Sequence, residues 1–75
     1  MTQGNKVVIL GYSTSHIMHM ERLLGDAQVR CRVVPVPRQV SSNCGLCLQI
    51  DMDDLDAVTR ILDEHDVPNE GIHTL

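Results

Sequence analysis

The segment "PVPRQVSSNCGLC" (residues 35–47) concentrates the residues of this chain that are best suited to nucleophilic chemistry. Cys44 is followed directly by Gly45, where a backbone without Cβ lets another molecule approach closely. Arg38 supplies a fixed cation that would stabilise a thiolate or hold an anion. Three further side chains offer hydrogen bonds just ahead of the sulfur: Ser41, Ser42 and Asn43. The segment therefore predicts a reactive cysteine, Cys44, with the other five residues as its binding surroundings.

Cys47 completes a Cys-x-x-Cys motif, but the motif does not have the setting of a thioredoxin site. In thioredoxins the first cysteine lies at a helix N-terminus, whose dipole favours the thiolate. Here the motif leads into "LCLQI", an alternating pattern typical of a strand. A disulfide with Cys44 stays open, because both cysteines lie at one end of the same segment. Cys47 is therefore either a second catalytic residue or a half-exposed strand residue.

The remaining candidate ligands predict neither a metal site nor a bound cofactor. His16 and His19 are three residues apart on a predicted helix, but no spacing signature joins them to the cysteines. Cys31 alternates with Val29 and Val33, which predicts that it packs in the core. No glycine-rich phosphate loop is present, and "DMDDLD" lacks the glycine and the glutamate of a calcium loop.

The elements that position the cysteine segment follow from hydrophobic periodicity. "KVVIL" (6–10), "VRCRVV" (29–34), "LCLQI" (46–50) and "GIHTL" (71–75) have the character of strands. "STSHIMHMERLL" is predicted to be a helix capped by one of its first serines or threonine and ended by Gly25. "DMDDLDAVTRILDEHD" is predicted to be a second helix that begins with acidic residues.

The resulting order β-α-β-β-α-β predicts a ferredoxin-like α+β fold, a four-stranded antiparallel sheet with both helices on one face. We expect a single domain over residues 1–75, in which residues 1–5 form a loose tail. The connection from Pro35 to about Gly45 is longer than the two to five residues of most hairpin loops. Extra loop length that carries specific residues favours function over a simple turn.

Composition excludes several classes of function. Six basic against ten acidic residues give a net charge of −4, and Tyr12 is the single aromatic residue, so nucleic-acid binding is not expected. The sequence contains no run of 18 apolar residues, so no membrane span is predicted. The N-terminus does not have the pattern of a signal peptide. Three cysteines, an odd number, indicate a reducing compartment, so a cytoplasmic protein is expected. Because so small a domain has a thin core, a homodimer through the open sheet face is a reasonable expectation.

The chain resembles the DUF3343 family, described as "putative selenium/sulfur carrier protein-like". The resemblance runs from Tyr12 to Leu75 and centres on "VPVPRQVSSNCG", which has the family's pattern of Pro-Arg, an apolar residue, Ser-Ser and Cys-Gly. "STSHIMHMERLL" and "DVPNEGIHTL" fit as well. The resemblance implies a ferredoxin-like fold and one cysteine, here Cys44, that carries sulfur or selenium. Cys47 departs from the family, whose members often carry a small apolar residue there.

Three hypotheses follow. The first is a sulfur or selenium carrier that receives the atom on Cys44 from a donor protein and passes it to an acceptor protein. No general base is visible near Cys44 in the sequence, which favours a carrier over a turnover enzyme. The second is a thiol-disulfide redox module that uses Cys44 and Cys47. The third is a non-catalytic binding or dimerisation domain whose contact surface is the long loop.

Overall fold

A computed structural model of the chain describes residues 5–38, 40 and 45–74. Its elements are β1 (Lys6–Leu10), α1 (Thr14–Asp26), β2 (Cys31–Pro35), β3 (Leu46–Asp51), a 3₁₀ turn (Met52–Asp54), α2 (Leu55–Glu64) and β4 (Gly71–Thr74). The predicted β-α-β-β-α-β order is confirmed. Of the predicted N-terminal tail, residues 1–4 lie outside the described residues, and the carbonyl of Asn5 accepts a hydrogen bond from the Met52 amide.

The four strands form one sheet in the order β2-β3-β1-β4, with antiparallel neighbours throughout. This is the strand order of a ferredoxin-like α+β fold, as predicted. β2 begins two residues later than the sequence pattern indicated and includes Pro35 as its last residue. Pro35 is accommodated because β2 is an edge strand, where a missing amide donor need not interrupt the ladder.

Both helices cover the same face of the sheet, and the main core lies between them and the strands. Gly11 is buried at the turn from β1 into α1, where an added Cβ would lie 2.8 Å from Ile17 Cδ1. The fold therefore requires a residue without a side chain at that turn. The buried members of this core are Val7, Ile9, Ile17, Met20, Leu24, Leu48, Ile50, Val58, Leu62 and Val67.

The helix ends are set by local hydrogen bonds. The Ser13 hydroxyl accepts a bond from the His16 amide and caps α1. The sequence had predicted that Gly25 would end this helix, but the helix continues to Asp26. Instead, Gln28 adopts a left-handed conformation (φ 64°) and the Val29 amide bonds back to Leu24, the pattern of a Schellman motif. α2 ends in the same way, with Asp66 (φ 53°) in the left-handed position.

The helix-free face of the sheet is partly covered by the chain itself. Val8, Leu10 and Cys47 are buried on this face. Half-buried valines pack against them, one from β2 and two from the segment that follows it: Val34, Val36 and Val40. From the sequence, this face was expected to contact only solvent or a partner molecule. Strand alternation does not reveal that a neighbouring loop packs against the sheet. Within the described residues, no helix is long and apolar enough to cross a membrane.

Candidate functional site

The β2–β3 connection, residues 36–45, is the candidate site, and it is closed at its base by a backbone hydrogen bond. The Val36 amide donates to the Gly45 carbonyl over 3.1 Å, which extends the β2–β3 ladder by one step. The Val40 amide then donates to the Pro37 carbonyl over 3.0 Å and forms a turn. The two ends of the connection are therefore fixed relative to the sheet.

Two of the predicted binding residues lie within the described part of this connection. Arg38 is exposed inside the Pro37–Val40 turn. Gly45 is exposed, and a Cβ built there meets no described atom within 4 Å. No described atom thus closes off the backbone at Gly45, and its role as a binding residue stays a prediction. Cys44 and three of its predicted neighbours lie outside the described residues: Ser41, Ser42 and Asn43.

Cys47 is buried, which corrects the interpretation of it as a half-exposed strand residue. It lies on β3 opposite Leu10, with 0% of its surface exposed. Its Sγ is 3.8 Å from the Pro35 carbonyl oxygen, a geometry suited to a weak S–H donor. In this position the side chain packs beneath Val34, Val36 and Val40 and helps to anchor the start of the connection. Its catalytic role stays a prediction.

Cys31 packs on the opposite face, against the main core, as predicted from its alternation with Val29 and Val33. Its Sγ lies 4.0 Å from the Glu21 carbonyl oxygen. Burial raises the pKa of the Cys31 thiol, and the negative charge of Glu21 raises it further. Cys31 is therefore a poor nucleophile at neutral pH.

His16, the first histidine of the pair on α1, takes part in local packing, whereas His19 is exposed. His16 Nδ1 lies 2.9 Å from the Ser13 hydroxyl, and its ring meets the Tyr12 ring edge-on at a centroid distance of 6.0 Å. Among the described residues, no group of three or more His, Cys, Asp or Glu side chains is arranged to hold a metal ion. His16 is engaged in the helix cap.

Glu70 lies at this end of the sheet, directly before β4, and was not among the predicted site residues. Its amide donates to the Leu10 carbonyl over 2.8 Å, and Leu10 is paired with Cys47 on one side and Gly71 on the other. Its Oε1 is buried and has no hydrogen-bond partner among the described residues. The sheet register thus brings a carboxylate to the end from which the connection emerges. Spacing along the chain gave no sign of this, because Glu70 and Leu10 are sixty residues apart.

Two valines that anchor the connection were also missed. Val36 and Val40 were treated as loop residues, although "VVPVPRQV" places apolar side chains at 34, 36 and 40. Residues 34 and 36 have the two-residue period of a strand face, and this period continues past Pro35. That continuation was the available signal that the segment stays against the sheet.

Comparison with known proteins identifies the family. The profile of the family described as "Putative Se/S carrier protein-like" matches residues 6–74. The chain belongs to this Se/S carrier-like family. The match begins at β1, before Tyr12, where the resemblance noted from the sequence began, and it includes every strand and helix. No curated protein and no solved structure matches the chain.

Proposed function

We propose that this Se/S carrier-like protein holds a sulfur or selenium atom on Cys44 and relays it between partner proteins. The family match over residues 6–74 is the observation that carries the proposal. The closed base of the 36–45 connection supports it, because a carrier needs its cysteine on a segment held by a rigid scaffold and open to partners.

The two other cysteines support the choice of Cys44 by their surroundings. Cys47 is fully buried, so a partner protein cannot reach its sulfur without displacing the valines above it. Cys31 is half-buried, and its raised pKa disfavours the thiolate that would attack a donor. Both sulfurs pack against apolar side chains, which supports the assignment of nucleophilic attack to Cys44.

The proposed transfer conserves atoms and electrons. The Cys44 thiolate attacks the terminal sulfur of a donor protein's persulfide, and a new S–S bond forms at Cys44. The donor's own S–S bond breaks, and its electron pair leaves with the donor thiolate. The acceptor protein then repeats the exchange on the Cys44 persulfide, so no external oxidant or reductant is consumed. Selenium would follow the same path with selenium in place of the terminal sulfur.

The neighbours of Cys44 would stabilise the anionic states of this cycle. Arg38 would supply a positive charge, and Ser41, Ser42 and Asn43 would supply hydrogen-bond donors. Gly45 would leave room for the donor and the acceptor to bring their own sulfur atoms close. We place the cycle in the cytoplasm, where a reducing environment keeps thiols available.

We do not expect a homodimer to use the whole helix-free face. Val8, Leu10 and Cys47 on that face are already covered by the chain's own valines. Arg30, Arg32 and Lys6 line a groove beside it, so two copies that met there would bring like charges together. The partners that fit this face best are therefore other molecules.

The test is persulfide transfer from a donor protein followed by the intact mass of each cysteine variant. The wild type, Cys31→Ala and Cys47→Ala are expected to gain the mass of one sulfur atom, and Cys44→Ser is expected to gain none. Sulfur uptake by Cys44→Ser would contradict the proposal. Loss of two hydrogens in the wild type but not in Cys47→Ala would support the redox module instead. No uptake by any form would leave the non-catalytic binding domain as the better account.

A further inference from the structure

The helix-free face of the sheet is polar in the part that lies away from the 36–45 connection. Arg32 pairs with Gln49, and Lys6 pairs with Asp51, at the end of the sheet opposite to the Pro35–Leu46 pair. A groove of ≈ 310 Å³ opens there, lined among others by Lys6, Arg30, Arg32, Gln49 and Asp51. This volume is at the lower end of the range for small-molecule sites.

The groove collects positive charge in a chain whose net charge is −4. Three of the six basic side chains line it, against one carboxylate, that of Asp51. Lys6 Nζ is paired with Asp51 Oδ1. Arg30 and Arg32 are exposed, and no hydrogen bond or ion pair to either guanidinium group is present among the described residues. Three cations and one anion leave two positive charges in the groove.

We propose that this groove binds a phosphate-bearing small molecule. The guanidinium groups of Arg30 and Arg32 each present parallel N–H donors that match the oxygens of a tetrahedral anion. Two positive charges match the charge of a phosphate group, about −2 near neutral pH. The Gln49 amide adds a neutral donor to the same wall. The ion pair with Lys6 offsets the charge of the Asp51 carboxylate, so that this carboxylate repels the anion less.

This site is independent of sulfur or selenium transfer. The groove is built on Arg30, the start of β2 that follows it, and the Gln49–Asp51 end of β3, whereas Cys44 precedes the other end of β3. Phosphate binding would therefore persist in Cys44→Ser, and sulfur uptake would persist in variants of the groove. The two proposals can fail separately.

The test is an NMR titration of the ¹⁵N-labelled full chain with pyrophosphate, at constant ionic strength maintained with sodium chloride. We expect shift changes centred on the amides of residues 30–32 and 49–51. Arg30→Gln and Arg32→Gln should each weaken binding by about tenfold, the loss expected for one charge-assisted contact. Arg60→Gln is the matched control, because it removes the same charge from an exposed position on α2; it should change binding by less than about twofold.

Three results would overturn the proposal. One is no saturable binding at up to about 10 mM pyrophosphate, since that would place the affinity below any useful range. Another is an equal loss in Arg60→Gln, which would indicate non-specific attraction. The third is tighter binding of poly-glutamate than of pyrophosphate at the same amides, which would identify an acidic protein surface as the occupant. A parallel titration with inorganic phosphate would distinguish a free anion from one that requires a larger phosphate compound.

Discussion

The two faces of the β-sheet use the same strands but are covered in different ways. On one face, α1 and α2 bury a continuous core that includes Ile9 and Leu48. On the other, Val34 and a short segment after β2 pack against Val8, Leu10 and Cys47, and a basic groove lies beside this cluster. The first face is covered mainly by helix-to-strand packing. The second face combines this small apolar cluster with exposed charged side chains, such as Arg30 and Arg32, that other molecules can contact.

This difference indicates how so small a domain divides its surface between stability and function. The helix face contains most of the buried apolar side chains and therefore most of the stabilising burial. The helix-free face contributes less, but it fixes both ends of the connection that carries Cys44. Mutations on the two faces should consequently have separable effects, on folding in one case and on the loop in the other.

Leu48→Ala should have the largest effect on folding. Leu48 is fully buried on the helix face, opposite Ile9 and Val33. Removal of its side chain should lower the free energy of unfolding by about 3 kcal/mol, from lost burial and the cavity left behind. That is a large share of the stability of a small domain. Urea denaturation monitored by circular dichroism would measure the change.

The matched control is Gln49→Ala, one residue along β3 and on the opposite face. Gln49 is half-buried and has a polar side chain, so its loss should cost less than about 0.5 kcal/mol. If the two variants were equally destabilised, the proposed division between the faces would be wrong.

Val36→Ala should have a smaller effect on folding and a specific effect on Cys47. Val36 is half-buried above Cys47, so its truncation should cost about 1 kcal/mol. The loss of cover should also speed alkylation of Cys47 in the folded protein. Mass spectrometry of peptides after timed iodoacetamide treatment would follow the reaction at each cysteine.

Val29→Ala is the control for that experiment. Val29 is also half-buried, but it packs against the core on the helix face. Its truncation should cost a similar free energy and leave Cys47 protected. Equal acceleration of Cys47 alkylation in both variants would mean that global unfolding, and not the valine cover, controls access to this sulfur.

The fold was largely predictable because its elements repeat simple patterns. The β-branched run of β1 and the apolar stripes of both helices were sufficient to give the element order. The end of α1 could not be predicted in this way, because Gln28 takes the left-handed position usually occupied by glycine. The type of side chain at position 28 does not reveal this. The start of β2 at Cys31 instead of Val29 follows from the same helix end, whose last bond involves the Val29 amide.

The candidate site was predictable in its residue types but not in its surroundings. The alternation of β3 correctly placed Cys47 on the face away from Leu48, but it did not reveal that Val36 and Val40 cover that face. Glu70 reaches the same end of the sheet only through pairing between β1 and β4. Such contacts depend on the register between distant segments, which a pattern local to one segment does not contain.

The most direct test of the central claim is the alkylation rate of each cysteine as a function of pH. We expect Cys44 to react first and at the lowest pH. Cys31 should lag at every pH, since burial and Glu21 raise the pKa of its thiol above that of a free cysteine and so reduce its thiolate fraction. Cys47 should react only when the protein unfolds. A Cys44 that reacts no faster than Cys31 or Cys47 at neutral pH would contradict its assignment as the carrier residue.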